Sequence, residues 1–452
     1  MSMSLKTFLV EAEGASDPTD ALREIAHVDV PDSFRAAVIH ADDASSFDGV
    51  PEHERDATQT LRVEQVPTPD VGPDEVLIAV MASAINYNTV WSAISWPMST
   101  FAFLKSYGLE GGNGLRHDLP YHILGSDAAG VVVRTGSHVV GWKPGDEVVV
   151  HCVVPQMSDP AGYDDAMLDP QQRAWGYETN YGGMAELSLV KASQLLPKAK
   201  HLTWEEAASP GLVHSTAYRQ LISPNGAGMK LGDIVLIWGA AGGLGSFATQ
   251  LVLAAGGIPI CVVSSPEKAA ICRALGATLL IDRTDPTLYR GGKVGRADAF
   301  FAKALRDRIR SLTGGQDPRI VFEHTGAETF AASVIVAARG GMVVTCASTS
   351  GYSHTYDNRH LWMHLKKIVG THGANYREAA EANRLVGLGR IHPTLSKTVS
   401  LEQVAGSLEE VRQNRHTGKI GVLCTAPTEG LGVRDHRLRD SVADKLDLFR
   451  TV

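Results

Sequence analysis

The sequence predicts an α/β protein: a doubly wound parallel sheet joined to a β-rich domain. Three observations predict it. The 452 residues exceed what a single hydrophobic core usually serves and suit two domains. In the second half, DIVLIWG, IPICVVSS, ATLLID, RIVFEH and GMVVTCAS are β-rich runs separated by helix-length segments, the pattern of parallel strands with crossover helices. In the first half, from RAAVIH onward, shorter β-type runs alternate with turn signals. The expected division is 1–212 plus 367–452 for the β-rich domain and 213–366 for the dinucleotide-type sheet.

Composition narrows the function classes. Hydrophobic residues make up 44% and charged ones 20%, and no apolar run approaches bilayer length. The apolar stretch in MSMSLKTFLVEAEG is too short for a signal-peptide core, so a cytoplasmic location is expected. A net charge of -8 argues against a nucleic-acid surface. Cys152, Cys261, Cys272, Cys346 and Cys424 are scattered without a CxxC pair and read as reduced core residues. None of the 17 histidines falls in HEXXH spacing, and no metal is expected.

In chain order, SFDGVPEHERDATQT reads as the longest linker-like segment. LRVEQVPTPDVGPDEVLIAVMASAIN, DAAGVVVRTG and PGDEVVVHC supply strands, and helical spacing takes over at EEAASPGLVHSTAYRQL. DIVLIWGAAGGLGSFATQLVLAAG is a buried strand, a glycine turn and an amphipathic helix. Gly239, Gly242, Gly243 and Gly245, with Leu244 among them, allow close backbone approach, and the following helix N-terminus suits a pyrophosphate.

The next strand ends in Ser264 and Ser265, where an NAD fold usually carries an acid. With Lys268 one turn later, NADPH is favoured over NADH. The competing reading makes Ser265 a helix N-cap and Lys268 merely exposed. His324, Cys346 and Ala347, at the ends of later strands, are further candidate cofactor contacts. Residues 284–315 lengthen this domain for a purpose the sequence leaves open. RDHRLRDSVADKLDLFR reads as a surface helix or a partner contact.

The order of a β-rich part before a dinucleotide-binding (Rossmann) part resembles the medium-chain dehydrogenase/reductase superfamily, with its GroES-like catalytic domain. Its zinc alcohol dehydrogenases carry a GHE-type segment; the matching stretch here is LGSDAAG, with Ser126 and Asp127 and no histidine ligand. Within the superfamily, INYNTVW, FAFLKSYG, HDLPYHILGSDAAGVV, WGYETNYGG, KHLTWEEAASPGLVHSTAYRQL, LIWGAAGGLGSFATQ, CVVSSPEKA, VTCASTSGY, DNRHLWMHLKKIVG and ANRLVGLGRIHPTLSK resemble the crotonyl-CoA carboxylase/reductases and their longer-chain relatives. The resemblance runs through almost the whole chain.

That resemblance implies NADPH-driven reductive carboxylation of a 2-enoyl-CoA to an alkylmalonyl-CoA, in a homo-oligomer, dimer or tetramer. It maps a carbon dioxide site onto Asn88, the main-chain N–H of Tyr177, and Glu178 with His372 as a pair holding one water. Blander readings stand beside each: Asn88 as a turn or cap residue, the Tyr177 ring as packing, Glu178 as a solvated loop carboxylate, His372 as a satisfied core histidine.

Two positions depart from the family pattern: Tyr177 and Gly373 stand where phenylalanine is common. The space opened at Gly373 predicts a substrate longer than crotonyl-CoA, such as octenoyl-CoA. Arg359 matches a position associated with the nucleotide end of CoA, beside His360 where tyrosine is frequent; Lys366 and Lys367 read as exposed helix lysines. The rival functions are a plain enoyl-thioester or quinone reductase, and a non-catalytic cofactor-binding protein.

Overall fold

The computed structural model describes residues 3–156, 158–295 and 298–451. The chain divides into two compact units. One comprises Met1–Leu212, Asn375–Gly389 and Leu395–Ala443; the other comprises Val213–Ala374, Arg390–Thr394 and Asp444–Val452.

The first unit is built on strand Glu75–Ala84, whose ten residues are all buried. Its edges are paired by antiparallel Ala128–Thr135 on one side, and by Leu187–Lys191 and Lys419–Leu423 on the other. Leu395–Ser400 extends this sheet parallel to Lys419–Leu423. A smaller antiparallel sheet pairs Ser33–His40 with Arg62–Pro67 and with Tyr121–Ile123. Val76, Ile78, Val80, Ile94, Leu124, Val132, Trp175, Val404 and Val422 meet in one apolar core. The segment expected to be a loose linker is anchored instead: Phe47 and Ala57 are buried, and Arg55 Nη1 donates to the carbonyls of Ile94 and Ser95.

The second unit is a parallel sheet in the order Leu279–Asp282, Ile258–Val263, Ile234–Ile237, Ile320–Glu323, Met342–Thr345, Lys367–Gly370. Strand order reverses between the first strand in sequence and the fourth, the switch point where such sheets bind ligands. Because Lys367–Gly370 pairs in parallel with Met342–Thr345, residues 367–374 belong here and not, as the expected boundary had it, to the β-rich unit. Helix Ala299–Thr313, inside the 284–315 segment, buries Phe301, Ala302, Leu305 and Ile309. Together with Leu288 and Tyr289, they cover the sheet face that carries Trp238.

The tail is not a single surface helix. It forms short helices His436–Ser441, Ala443–Leu446 and Leu448–Thr451, with Leu446, Leu448 and Phe449 buried.

Candidate active site

The stretch WGYETNYGG folds as a tight turn fixed at many points. The carbonyl of Ala174 accepts from the N–H of Glu178 at 2.7 Å and, at 3.3 Å, from those of Tyr177 and Thr179. The Glu178 carboxylate reaches back and accepts from Ala174 N–H at 2.7 Å. Glu178 is therefore no free loop acid; it ties the turn closed. Trp175 is buried and donates from Nε1 to Tyr181 O at 2.9 Å. Gly176 has φ +70°, and a Cβ there would lie 2.0 Å from Gly125 O, so only glycine permits the approach.

Buried histidines brace the far side of this turn. His122 bridges Thr100 Oγ1 at 2.9 Å and Thr179 O at 3.2 Å, and His117 Nδ1 accepts from Asn180 N–H at 3.1 Å. Burial depresses their pKa values to about 4 for His122 and about 3 for His117, so both are neutral.

The turn rests on the loop Leu124–Asp127. Gly183 N–H donates to Gly125 O at 2.9 Å and Met184 N–H to Leu124 O at 2.9 Å. Asp127 is wholly buried. It accepts from Asn86 Nδ2 at 2.7 Å, Lys419 Nζ at 3.1 Å and Leu212 N–H at 2.7 Å. Burial raises the Asp127 carboxyl and lowers the Lys419 ammonium, and the mutual charge opposes both. Between Gly125 and Asp127, the buried Ser126 accepts from Asn88 Nδ2 at 2.7 Å. Asn88 lies in the first turn of helix Tyr87–Ala93, while the N-cap position belongs to Asn86. One loop thus supports three of the four catalytic candidates: Asn88, Tyr177 and Glu178. The Tyr177 ring packs against Phe103 at 5.7 Å between centroids.

His372, the fourth, belongs to the second unit and is exposed. It follows the strand Lys367–Gly370 in a segment held by Thr371 N–H donating to Thr345 O at 2.8 Å, next to Cys346 and Ala347. Gly373 has φ +48°. Glycine there has a backbone reason as well as the spatial one read from the sequence.

In the glycine turn, Gly239 has φ +56°, and a Cβ would meet the His324 ring at 3.2 Å; His324 Nε2 bonds Trp238 O at 2.8 Å. A Cβ on Gly245 would lie 2.3 Å from Gly239 O, so this glycine lets helix Gly243–Ala254 start directly beneath the turn. Gly242 occupies the N-cap with no side chain, leaving the helix N–H groups next to Gly243 and Leu244 open to a phosphate.

Ser265 is the N-cap of helix Pro266–Ala274 and accepts from Lys268 N–H at 3.3 Å, so the capping reading describes its local role. Lys268 is half-buried and not merely exposed; burial first, and then the charge of Arg283, hold its ammonium below the usual range. Arg283 was not singled out from the sequence. It follows the third strand, where Asp282 stands opposite Val263, and its N–H donates to Val263 O at 2.8 Å. The parallel register brings it beside Ser264, and no local motif announces that. Arg283, Glu328, Tyr289 and Trp238 border a cleft of about 490 Å³ in this unit.

Burial pushes the Cys346 thiol up to about 12, which makes it a poor nucleophile. Arg359 is exposed and paired with Asp357 through Nη2 at 2.6 Å, with His360 next to it. Lys366 is not an exposed helix lysine: it is buried, and Nζ donates to Val334 O at 2.7 Å and Ile335 O at 3.1 Å, closing helix Phe330–Val336. Lys367 is a strand residue. Among the described residues no group of three or more His, Cys, Asp or Glu side chains is placed to hold a metal ion, and no helix is long and apolar enough to cross a membrane.

The two units define the class: a medium-chain dehydrogenase/reductase. Residues 72–200 match the alcohol dehydrogenase GroES-like domain, and residues 243–387 match the zinc-binding dehydrogenase family. A crotonyl-CoA reductase of Streptomyces collinus is 56% identical over 450 residues, 100% of both chains. A crotonyl-CoA carboxylase/reductase of Cereibacter sphaeroides is 40% identical over 387 residues, 82% of this chain and 86% of the relative. Among solved structures, the 2-octenoyl-CoA carboxylase reductase CinF, in complex with NADP and 2-octenoyl-CoA, superposes with TM-score 0.92 at 50% identity and 99% coverage of both chains. The chain belongs to the crotonyl-CoA carboxylase/reductase family.

Proposed function

We propose that the protein reduces and carboxylates a 2-enoyl-CoA to an alkylmalonyl-CoA, using NADPH and CO2, with octenoyl-CoA preferred to crotonyl-CoA. The observation that carries this reading is the near-complete match to the octenoyl-CoA enzyme. NADPH supplies the hydride that adds to the β-carbon. The cradle fits it: Gly245, where a Cβ would strike backbone, and Lys268 and Arg283 near Ser264 and Ser265, which stand where the usual ribose-binding acid would be, for a 2′-phosphate. His324, Cys346 and Ala347 lie at the ends of the strands across the switch point.

Hydride addition sends an electron pair to the α-carbon as a thioester enolate. That carbon then forms a bond to the carbon of CO2, or takes a proton from water. The residues decide which. The Asn88 amide donates to one CO2 oxygen, and the Tyr177 N–H, which meets Ala174 O at 3.3 Å, donates to a CO2 oxygen as well. Glu178 is assigned to holding a water in place and keeping other water out; His372 is assigned to the same task on the family resemblance alone. No general base is required.

Arg359 and His360 are assigned to the nucleotide end of CoA, and Gly373 to the acyl chain. Among the described residues the edge strand Lys367–Gly370 has one side without a strand partner, and Trp362, Met363, Leu365 and Ile368 around it are 61%, 50%, 69% and 36% exposed. An apolar sheet edge of this kind supports a homo-oligomer joined edge to edge, a dimer or tetramer. Five free cysteines accord with a cytoplasmic location.

The test is to incubate the protein with NADPH and either crotonyl-CoA or octenoyl-CoA, with and without bicarbonate plus carbonic anhydrase, and to identify products by mass spectrometry. A bicarbonate-dependent carboxyl group, formed faster on octenoyl-CoA, is expected. Saturated acyl-CoA alone at high CO2 would make the protein a simple reductase.

A further inference from the structure

The Asn88 side chain raises a question of orientation. Its Nδ2 is placed 2.7 Å from Ser126 Oγ, and its Oδ1 is buried with no hydrogen-bond partner among the described residues. A buried acceptor without a donor is costly, and CO2 offers only oxygen atoms, so it brings no hydrogen to satisfy that acceptor. The two ends of a carboxamide are isosteric. Rotated by half a turn, the same pair forms with the Ser126 hydroxyl donating to Asn88 Oδ1, and both N–H bonds of Nδ2 then occupy the unpartnered position.

Ser126 is well placed to impose this choice. Its own position is fixed by its neighbours: Gly125 O by Gly183 N–H at 2.9 Å, Asp127 O by Ser83 Oγ at 2.6 Å, and the Asp127 carboxylate by Asn86 Nδ2 and Lys419 Nζ. On so constrained a backbone the Ser126 Cβ is held in place, and its buried hydroxyl, 2.7 Å from the Asn88 amide, has only a side-chain rotamer and a proton direction left to choose.

We propose that Ser126 is a positioning residue of the carbon dioxide site: its hydroxyl donates to the side-chain carbonyl of Asn88 and so turns the amide N–H groups toward CO2. The proposal rests on the assignment of Asn88 to that site. It also gives a use to the serine that stands in the segment where zinc relatives carry a metal-binding histidine.

The test measures how the enolate partitions, as the ratio of alkylmalonyl-CoA to saturated acyl-CoA at fixed bicarbonate, together with the rate of NADPH oxidation. Ser126→Ala removes the donor, and the ratio is expected to fall about tenfold, by more than the oxidation rate falls. Ser126→Cys, similar in size with a weaker donor, should lie between, and covers the case in which the alanine variant does not fold. Asn88→Asp, which has no N–H, should lower the ratio by itself, and adding Ser126→Ala to it should change nothing further. A ratio that stays at the wild-type value in both Ser126 variants while Asn88→Asp lowers it overturns the role of Ser126 alone. An unchanged ratio in Asn88→Asp overturns the carbon dioxide assignment itself.

Discussion

The glycine turn of the second unit and the WGYETNYGG turn of the first are built on opposite principles. Around Gly239–Gly245 the main determinant is the absence of side chains: backbone approaches backbone, and the surface offered to a ligand is made of N–H groups. Around Ala174–Tyr181 the backbone is held by side chains: those of Trp175, Glu178 and Asn180 from within the turn, and those of His117 and His122 from an earlier segment. The first design tolerates nothing larger than hydrogen at Gly245. The second depends on the protonation and hydrogen-bonding capacity of individual groups.

Acid should separate the two most strongly. His117 and His122 have folded pKa values of about 3 and about 4, below the unfolded 6.5, so the stability they confer is complete above about pH 6.5 and is lost as pH falls toward 4. Each contributes a loss of roughly 3 kcal/mol over that window. The protection factor against hydrogen exchange at Asn180 N–H, whose acceptor is His117, is expected to fall in step with a denaturant midpoint; a protection factor that stays constant across this window would remove the histidines from the account.

Gly245→Ala attacks the other design. With Gly239 O only 2.3 Å from the new Cβ, the helix must retreat. A destabilisation of about 2 kcal/mol is expected, together with a large loss of NADPH affinity in calorimetry; wild-type affinity would show that the turn adapts. Lys268→Ala and Arg283→Ala test the cation pair: each should weaken NADPH binding about tenfold and NADH binding hardly at all, and equal effects on both cofactors would refute a 2′-phosphate seat.

Glu178→Ala and Glu178→Gln sharpen the second design. Glutamine retains an oxygen for Ala174 N–H and should keep the melting temperature, whereas alanine loses about 1 kcal/mol. If both lower the carboxylated fraction equally, the charge and not the turn matters to CO2. The smallest effect is expected from Gly373→Phe, a shift of several-fold toward crotonyl-CoA in kcat/KM. It is accompanied by strain of about 1 kcal/mol, because the backbone there has φ +48°.

The glycine turn could be read from the sequence because its physics is local: strand, glycines and helix follow one another within a single segment. The same holds for Ser264, Ser265 and Lys268. Arg283 could not, since it reaches that corner through strand register, a property of two segments. Lys366 was misread because a run of charged and aromatic residues looks exposed until the helix end it closes is known. The boundary was placed before Lys367 because KKIVG is too short to distinguish a sixth parallel strand from the start of a returning segment. Asn88, Tyr177 and Glu178 were found through resemblance; nothing in their spacing shows that they share the support of Leu124–Asp127.

The strand Lys419–Leu423 has a consequence for how the protein is made. It pairs with Glu75–Ala84, and Lys419 supplies the cation for the buried Asp127. Until the ribosome has delivered residue 419, more than three hundred residues after the strand it must join, the first unit has an open sheet edge and an uncompensated carboxylate at its centre. Most of the second unit, Val213–Ala374, is complete before then. Synthesis therefore allows most of the second unit to fold before the first can close its sheet, with Asp444–Val452 joining the second unit at the end.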